Sequence, residues 1–263
     1  MRIATLINSC GEPYIGDAID SIQTYVGDNN LMIVDGARWK DWGEQFDSPI
    51  AKMRGIEHGV PKSPYKNMAL GLSKLVELWR DCDWYCYTEP DVLFTSSKFK
   101  EILSLADEQN VWMMGANGHL DYQEMKLVES MLHTEFRSVY YLLGACLFFS
   151  RRYMEKLQEL DFFSKFLNLT SGFSKGDFPK YQGYDISEHM YPTIARHYGG
   201  NIAVMSIYDE GKWHGNFKTF PVRWKPEIEM EEIYPETSIV HPVKKAEELR
   251  GIQREKRELW KIK

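Results

Sequence analysis

Asp83-Trp84-Tyr85-Cys86-Tyr87-Thr88-Glu89-Pro90-Asp91-Val92-Leu93-Phe94 is the stretch from which the fold is read. Residues 84–87 are a short run of bulky and small apolar side chains that reads as a buried strand, and Thr88-Glu89-Pro90-Asp91 closes it with a proline and two carboxylates. The same alternation runs outward in both directions. Upstream, residues 3–8 form an apolar strand, and Gly11-Glu12-Pro13 opens a helix whose Ile15, Ala18, Ile19, Ile22 and Val26 recur at mostly helical spacing. Residues 31–34 form a second strand closed by Asp35-Gly36, and residues 64–79 carry Met68, Leu72, Leu75, Val76 and Trp79 as a second helix. Downstream come a helix over 97–106 and a strand over 111–115. Strand, helix, strand, helix, strand predicts an α/β fold, with a Rossmann-like, mostly parallel central sheet and helices on both faces.

The second half is less regular. Residues 118–137 are a polar, partly helical excursion, followed by the apolar run 139–149 and a helix over 151–160. A Ser-, Gly-, Lys- and Phe-bearing loop over 168–183 is long enough to be a functional flap. A helix over 185–198 and a strand over 202–207 come next, and residues 208–235 are aromatic, charged and weakly periodic. Strand-like Ser238-Ile239-Val240 leads into His241-Pro242-Val243-Lys244. With no internal repeat and no separating linker, the expectation is one domain over 1–243, in halves 1–117 and 118–243, with a C-terminal helix over 244–263.

Composition limits the function classes. The chain has 263 residues, 43% apolar and 14% aromatic, which suits a globular chain with a sizeable core. Its net charge of −6 argues against a protein that coats nucleic acid. That charge is unevenly placed, because residues 244–263 hold eight basic and four acidic side chains and leave the preceding 243 at −10. The basic tail carries Leu249, Ile252, Leu259 and Trp260 in a helical pattern, which reads as a helix docked on the body or as a peripheral contact with an anionic membrane surface. No apolar run is long enough to span a bilayer. Four cysteines are too few for a disulfide scaffold, and Cys82 and Cys86 lack the second ligand pair of a zinc site, so a reducing cytoplasm is the expected compartment.

In an open α/β sheet, ligands bind beyond the carboxyl ends of the strands. The residues closing these strands are Asn8, Asp35, Glu89 and Asp91. Two carboxylates in apolar surroundings are costly unless a cation or a donor meets them. A hard divalent ion held with substrate phosphates is one occupant; capping of the next element is the other reading. Neither glycine-rich phosphate loop occurs, neither G-x-G-x-x-G after the first strand nor G-x-x-x-x-G-K-[ST] anywhere.

Several motifs, in this order, resemble the nucleotide-sugar glycosyltransferases of the GT-A fold. Glu89-Pro90-Asp91 resembles that family's D-x-D element, which holds a divalent metal and the donor diphosphate. Ile7-Asn8 resembles the end of its first strand beside the donor base, and residues 31–36 its second strand with a nucleoside-facing aspartate, Asp35. Lys66-Asn67 resembles its Arg-Asn helix start, with lysine in the arginine's place. Residues 144–152 resemble its glycine-bearing strand on the acceptor side, Gly183-Tyr184-Asp185-Ile186-Ser187-Glu188 its Gly-Glu-Asp segment, and His241-Pro242-Val243-Lys244 its late metal-binding histidine segment.

The resemblance implies a single GT-A-like domain that moves a sugar from a nucleotide-sugar donor to a carbohydrate or other hydroxyl acceptor with inversion, using Mn or Mg. It implies donor contacts from Ile7, Asn8, Asp35, Lys66, Glu89 and Lys244, and metal ligands from Asp91, His241 and Glu89, of which Asp91 is the better ligand. It leaves the catalytic base between Asp185 and Glu188. His214 competes with His241 for the ligand role, and Asp185 reads equally as a helix N-cap. Eight aromatic residues, Tyr181, Tyr184, Tyr191, Tyr208, Trp213, Phe217, Phe220 and Trp224, crowd the acceptor half as core or as sugar-stacking surface. The alternative is a catalytically silent nucleotide-sugar-binding module, motivated by Glu89 and Tyr184, where the family has acids of a different pattern. A nucleotidyltransferase would need a Gly- and Arg-rich loop after the first strand, which is absent.

Overall fold

The computed structural model describes residues 1–12, 14–27, 30–36, 50–56, 63–121, 125–169 and 187–244. It has the predicted α/β architecture, one mostly parallel sheet covered by helices on both faces. The strands are β1 (Ile3–Ser9), β2 (Leu31–Asp35), β3 (Ala51–Arg54), β4 (Trp84–Thr88), β5 (Leu93–Phe94), β6 (Val111–Asp121), β7 (Val139–Ser150), β8 (Asn201–Val204), β9 (Ser206–Asp209), β10 (Lys212–Gly215) and β11 (Ile239–Val240). The helices are α1 (Ile15–Tyr25), α2 (Ser63–Leu78), α3 (Phe99–Glu108), α4 (Lys126–Leu132), α5 (Arg151–Glu159), α6 (Phe162–Leu169) and α7 (Ser187–His197). Seven strands pair in the order β3-β2-β1-β4-β7-β6-β8. All neighbours are parallel except β7, which runs antiparallel to both β4 and β6.

Alternation along β1 explains the two layers. Ala4 and Leu6 face the cluster that holds Met68, Ala69, Leu72 and Leu75 of α2. Ile3 and Ile7 face the opposite cluster, with Ile15, Ile19 and Ile22 of α1 and Phe99 and Leu103 of α3. A strand buried on both faces reads as an unbroken apolar run, which is the pattern of β1, β2 and β4. Gly71 lets α2 lie close on the sheet, since a Cβ there would be 2.6 Å from Leu6 Cδ2 and 2.9 Å from Val34 Cγ2.

Several elements differ from the sequence reading. The strand expected over 111–115 continues to Asp121 through two irregularities in its pairing with β7, so the polar excursion begins as sheet and only then turns into α4. The single strand expected over 202–207 is broken at Met205, whose N–H donates to the Gly115 carbonyl at 2.7 Å; β8 joins the main sheet and β9 forms a hairpin with β10. The expected helix 185–198 is described from Ser187. No helix among the described residues is long and apolar enough to cross a membrane. Residues 245–263, and with them nearly all of the expected basic helix, lie outside the described residues.

Candidate metal and catalytic site

The carboxyl ends of three adjacent parallel strands meet at one edge of the sheet. Ser9 pairs with Asp35 and Ile7 with Thr88, so Asn8, Asp35 and Glu89 emerge at nearly one level. Burial pushes the Cys10 thiol up to about 11, and the negative charges of Glu12, Asp35 and Glu89 add to the rise.

After β4 the chain turns sharply. Glu89 N–H donates to the Ala145 carbonyl at 2.9 Å and Val92 N–H to the Glu89 carbonyl at 3.2 Å. This turn directs Asp91 inward, where it is 3% exposed. The chain then enters β5, which pairs antiparallel with β11, and Val243 N–H donates to the Asp91 carbonyl at 2.9 Å. A segment from the far end of the sequence therefore delivers His241 to the acids. Its Nε2 lies 3.3 Å from Asp91 Oδ1 and 3.6 Å from Glu89 Oε2, while Nδ1 meets the Arg223 carbonyl at 2.7 Å. Lys244 Nζ stands 3.3 Å from Asp91 Oδ2.

Burial alone would depress the His241 imidazole, but Asp91 and Glu89 outweigh it and raise the group to about 9. Burial likewise works against the Asp91 carboxylate, yet His241 and Lys244 hold it below the usual range. The two partners agree that this pocket is built around positive charge. One ligand atom each from Glu89, Asp91 and His241 lies within 4.8 Å of the others, and buried Asp91 Oδ2 accepts no hydrogen bond apart from its ion pair with Lys244. Two carboxylates and an imidazole fit a divalent cation, with positions left over for phosphate oxygens or water. Among the described residues this is the one His/Cys/Asp/Glu group so arranged. His214 is exposed on β10 and outside it, and Cys82 and Cys86 are separate free, buried thiols.

The start of α7 is held on β7, the neighbour of β4 in the sheet. Glu188 Oε1 accepts from Gly144 N–H at 2.9 Å and from the Tyr141 hydroxyl at 3.2 Å. Gly144 makes room for it, because a Cβ there would be 3.0 Å from Glu188 Cγ. Burial raises the Glu188 carboxyl; its two donors pull it down, and the charge on Glu89 adds to the rise. Gly144, which holds Glu188, directly precedes Ala145, whose carbonyl accepts the Glu89 N–H at 2.9 Å, so both acids are anchored on adjacent residues of β7. The Tyr141 ring packs against His189 at 5.0 Å and His119 at 4.7 Å.

The other expected residues divide. Asn8 is buried, donates to the Pro64 carbonyl at 3.2 Å and leaves Oδ1 without a hydrogen bond. Ile7 is fully buried, and pleating sends its side chain into the α1 layer. Lys66 lies in the first turn of α2, where burial lowers its pKa. Its neighbour Asn67 bridges both polar groups of Ile56, accepting from its N–H at 2.6 Å and donating to its carbonyl at 3.0 Å. Gly36 and Gly55 permit this, since a Cβ on either would be within 3.0 Å of the Asn67 amide. Asp185 and Tyr184 lie outside the described residues, as does Tyr181. Tyr191 and Phe220 are core, Tyr208, Trp213 and Phe217 are half-buried, and Trp224 is exposed.

Sequence reasoning missed Arg223 and Glu232. Their guanidinium and carboxylate form a bidentate pair at 2.6 and 2.7 Å, directly behind His241. No periodicity marks them, because the segment that carries them is mostly irregular chain.

No protein-family model and no curated protein sequence matches this chain. Solved structures do resemble it. A mannosyltransferase from Pyrobaculum calidifontis in complex with GDP-Man and Mn2+ is 14% identical with a TM-score of 0.44, over 77% of this chain and 54% of the other. The chain thus spans about half the length of that mannosyltransferase. A glycosyltransferase involved in the glycosylation of the major capsid of PBCV-1 is 10% identical with a TM-score of 0.47, over 98% of this chain and all of the other. A cytidylyltransferase from Leptospira borgpetersenii is 11% identical with a TM-score of 0.37, over 60% of this chain and 64% of the other.

Proposed function

We propose that this protein is a metal-dependent glycosyltransferase that moves a sugar from a nucleotide-sugar donor to an acceptor hydroxyl with inversion. The observation that carries the reading is the Glu89–Asp91–His241 group at the carboxyl end of β4, in which Asp91 and His241 are buried and Asp91 Oδ2 is met, among the described residues, by the Lys244 ammonium alone. Asp91 and His241 would hold Mn or Mg, with Glu89 as the outer, half-exposed third ligand. When bound, the ion neutralises charge that develops on the departing diphosphate. Lys244 adds a point charge beside the same phosphates, and Asp35 and Asn8 line the nucleoside side of the cleft.

Glu188 is the general base in this reading. Gly144 and Tyr141 both hold Oε1, which fixes the carboxylate and leaves Oε2 to take the proton of the acceptor hydroxyl. Attack from the Glu188 side, opposite the leaving diphosphate, inverts the anomeric centre. The reacting sugar passes through an oxocarbenium-like state, so a carboxylate on that face also offsets developing positive charge.

A panel of nucleotide sugars incubated with Mn2+ tests this, read as donor hydrolysis and as transfer to mixed sugar acceptors. Wild type is expected to turn over at least one donor, and Asp91→Asn to lose both Mn2+ binding by calorimetry and turnover while keeping its circular dichroism. Donor binding without hydrolysis or transfer by wild type would return the protein to the silent-module reading. Full activity in Asp91→Asn would remove the metal assignment.

A further inference from the structure

We propose that Arg223 and Glu232 are positioning residues for His241, holding its imidazole ready for a divalent cation; this rests on the metal-site reading above. The main chains of the two segments clamp each other. His241 N–H donates to the Pro221 carbonyl at 3.1 Å, and Arg223 N–H donates to the His241 carbonyl at 3.1 Å. The Arg223 carbonyl then accepts from His241 Nδ1 at 2.7 Å. That bond fixes Nδ1 as the protonated nitrogen and turns Nε2 toward Asp91 and Glu89, so the ring presents one defined ligand atom.

Everything around the Arg223 side chain immobilises that carbonyl. The buried guanidinium donates through Nε to the Pro226 carbonyl at 2.8 Å, through Nη2 to the Glu227 carbonyl at 2.7 Å, and through Nη1 and Nη2 to the two Glu232 oxygens. It also lies 4.5 Å from the Tyr208 ring centre and 5.1 Å from that of Trp213. Glu232 is itself held by Trp213 Nε1 at 2.8 Å and by Glu229 N–H at 3.0 Å. A planar fork that pairs bidentately and stacks on two rings is a task for arginine and not for lysine.

The location argues for positioning and against general stabilisation. Among the described residues the small apolar cluster here has four buried members, Leu93, Ile228, Val240 and Val243, while Phe220, Val222 and Ile239 join the large cluster on one face of the sheet. A fully paired polar network defines one geometry where so small a core would permit several.

The test is a double-mutant cycle read as Mn2+ affinity by calorimetry, without donor or turnover. Glu232→Gln in the wild-type background is expected to weaken Mn2+ binding by about 10- to 100-fold, the usual effect of losing an outer-shell partner. In a His241→Ala background, the same Glu232→Gln change is expected to leave the residual affinity unchanged, because there is no ring left to position. Trp213→Phe removes one donor to Glu232 and should show the same dependence on His241 at smaller size, which keeps the test alive if Glu232→Gln folds poorly. Wild-type affinity in Glu232→Gln, alongside weakened binding in His241→Ala, would overturn the positioning role and leave the metal site standing. Equal loss in both backgrounds would also overturn it, as general loosening. No Mn2+ binding by wild type would overturn the metal reading and this inference with it.

Discussion

Replacing Glu188 by glutamine should cost activity and gain stability at the same time. The geometry predicts both signs. A glutamine side chain would keep an amide oxygen for the Gly144 N–H and the Tyr141 hydroxyl, now at 2.9 and 3.2 Å, so α7 stays docked on β7. What disappears is the charge. Burial raises the Glu188 carboxyl above the ordinary glutamate range, with Glu89 adding to the rise. A carboxylate whose folded pKa exceeds its unfolded one favours the fold below the unfolded value, and loses that contribution as pH rises through the folded value. At neutral pH the ionised group is therefore a net cost, and a neutral isostere relieves it. Loss of a general base lowers kcat by about a hundred- to ten-thousand-fold. The assay is steady-state transfer with Mn2+ beside a urea denaturation midpoint at pH 7. Gly144→Ala is the companion variant. Its Cβ would sit 3.0 Å from Glu188 Cγ and 3.3 Å from Oε1, so the carboxylate must move by several tenths of an ångström, which should lower kcat roughly tenfold without removing the group. Undiminished kcat in Glu188→Gln would refute the base assignment and shift it to Asp185, and a lowered midpoint would refute the desolvation argument.

Three further outcomes follow from the same geometry. The acid limb of kcat/KM should lie above the ordinary glutamate range, because the base must be ionised and burial holds it up; a limb at the usual carboxylate position would show that another group serves. Metal-free protein should lose stability between neutral pH and pH 9, since the His241 imidazolium raised to about 9 stabilises the fold fully below its ordinary value of 6.5 and not above the raised one. The difference is about 3 kcal/mol, and a denaturation midpoint flat from pH 6.5 to 9.5 would count against the charge pairing. Gly71→Ala should destabilise by about 1–3 kcal/mol through overpacking against Leu6 and Val34, and an unchanged melting temperature would mean that α2 shifts freely on the sheet.

The Rossmann-like first half was legible because its strands are buried on both faces. Continuous apolar runs at β1, β2 and β4, each ending in polar residues, mark both the strand and its ligand-bearing end. β3 left no such trace. It is a short strand with Lys52 and Arg54 in it and alternating exposure, and only its pairing with β2 makes it a strand. The reversed direction of β7 is also invisible locally, since an apolar run reads the same whichever way it lies in the sheet. At the site, Glu89, Asp91 and His241 were readable as residue types with a shared chemistry. A strand end has two faces, and the Ile7 side chain lies on the α1 face, which the apolar run alone does not reveal. Arg223 and Glu232 pair nine positions apart across an irregular turn, and no local rule selects that partner from the neighbouring Glu227, Glu229 and Glu231.

The placement of His241 has a consequence for how the C-terminal segment is held. β11 and β5 share only two residue pairs, Ile239 with Phe94 and Val240 with Leu93. Ile239 and Phe94 join the large cluster on one face of the sheet and Val240 and Leu93 a small one, and a two-pair ladder contributes little by itself. Other ties run to Thr95 and to the 219–223 segment, and one further set converges on the acids: Val243 N–H on the Asp91 carbonyl, Lys244 on Asp91 Oδ2, and His241 between Asp91 and Glu89. A cation bound by Asp91 and His241 would thus staple β11 to the β4–β5 turn, and at a hundredfold excess over its dissociation constant it stabilises whatever must be intact to bind it by about 2.7 kcal/mol. Amide exchange should show this locally. Adding Mn2+ should slow exchange at Val240, His241, Val243 and Phe94 by about a hundredfold when opening of this segment is what exposes them. Amides of β1 and β2, whose strands sit inside the sheet, should slow less. Equal slowing everywhere would mean that the ion stabilises the whole domain as one unit, and no slowing at these four residues would mean that His241 does not bind it.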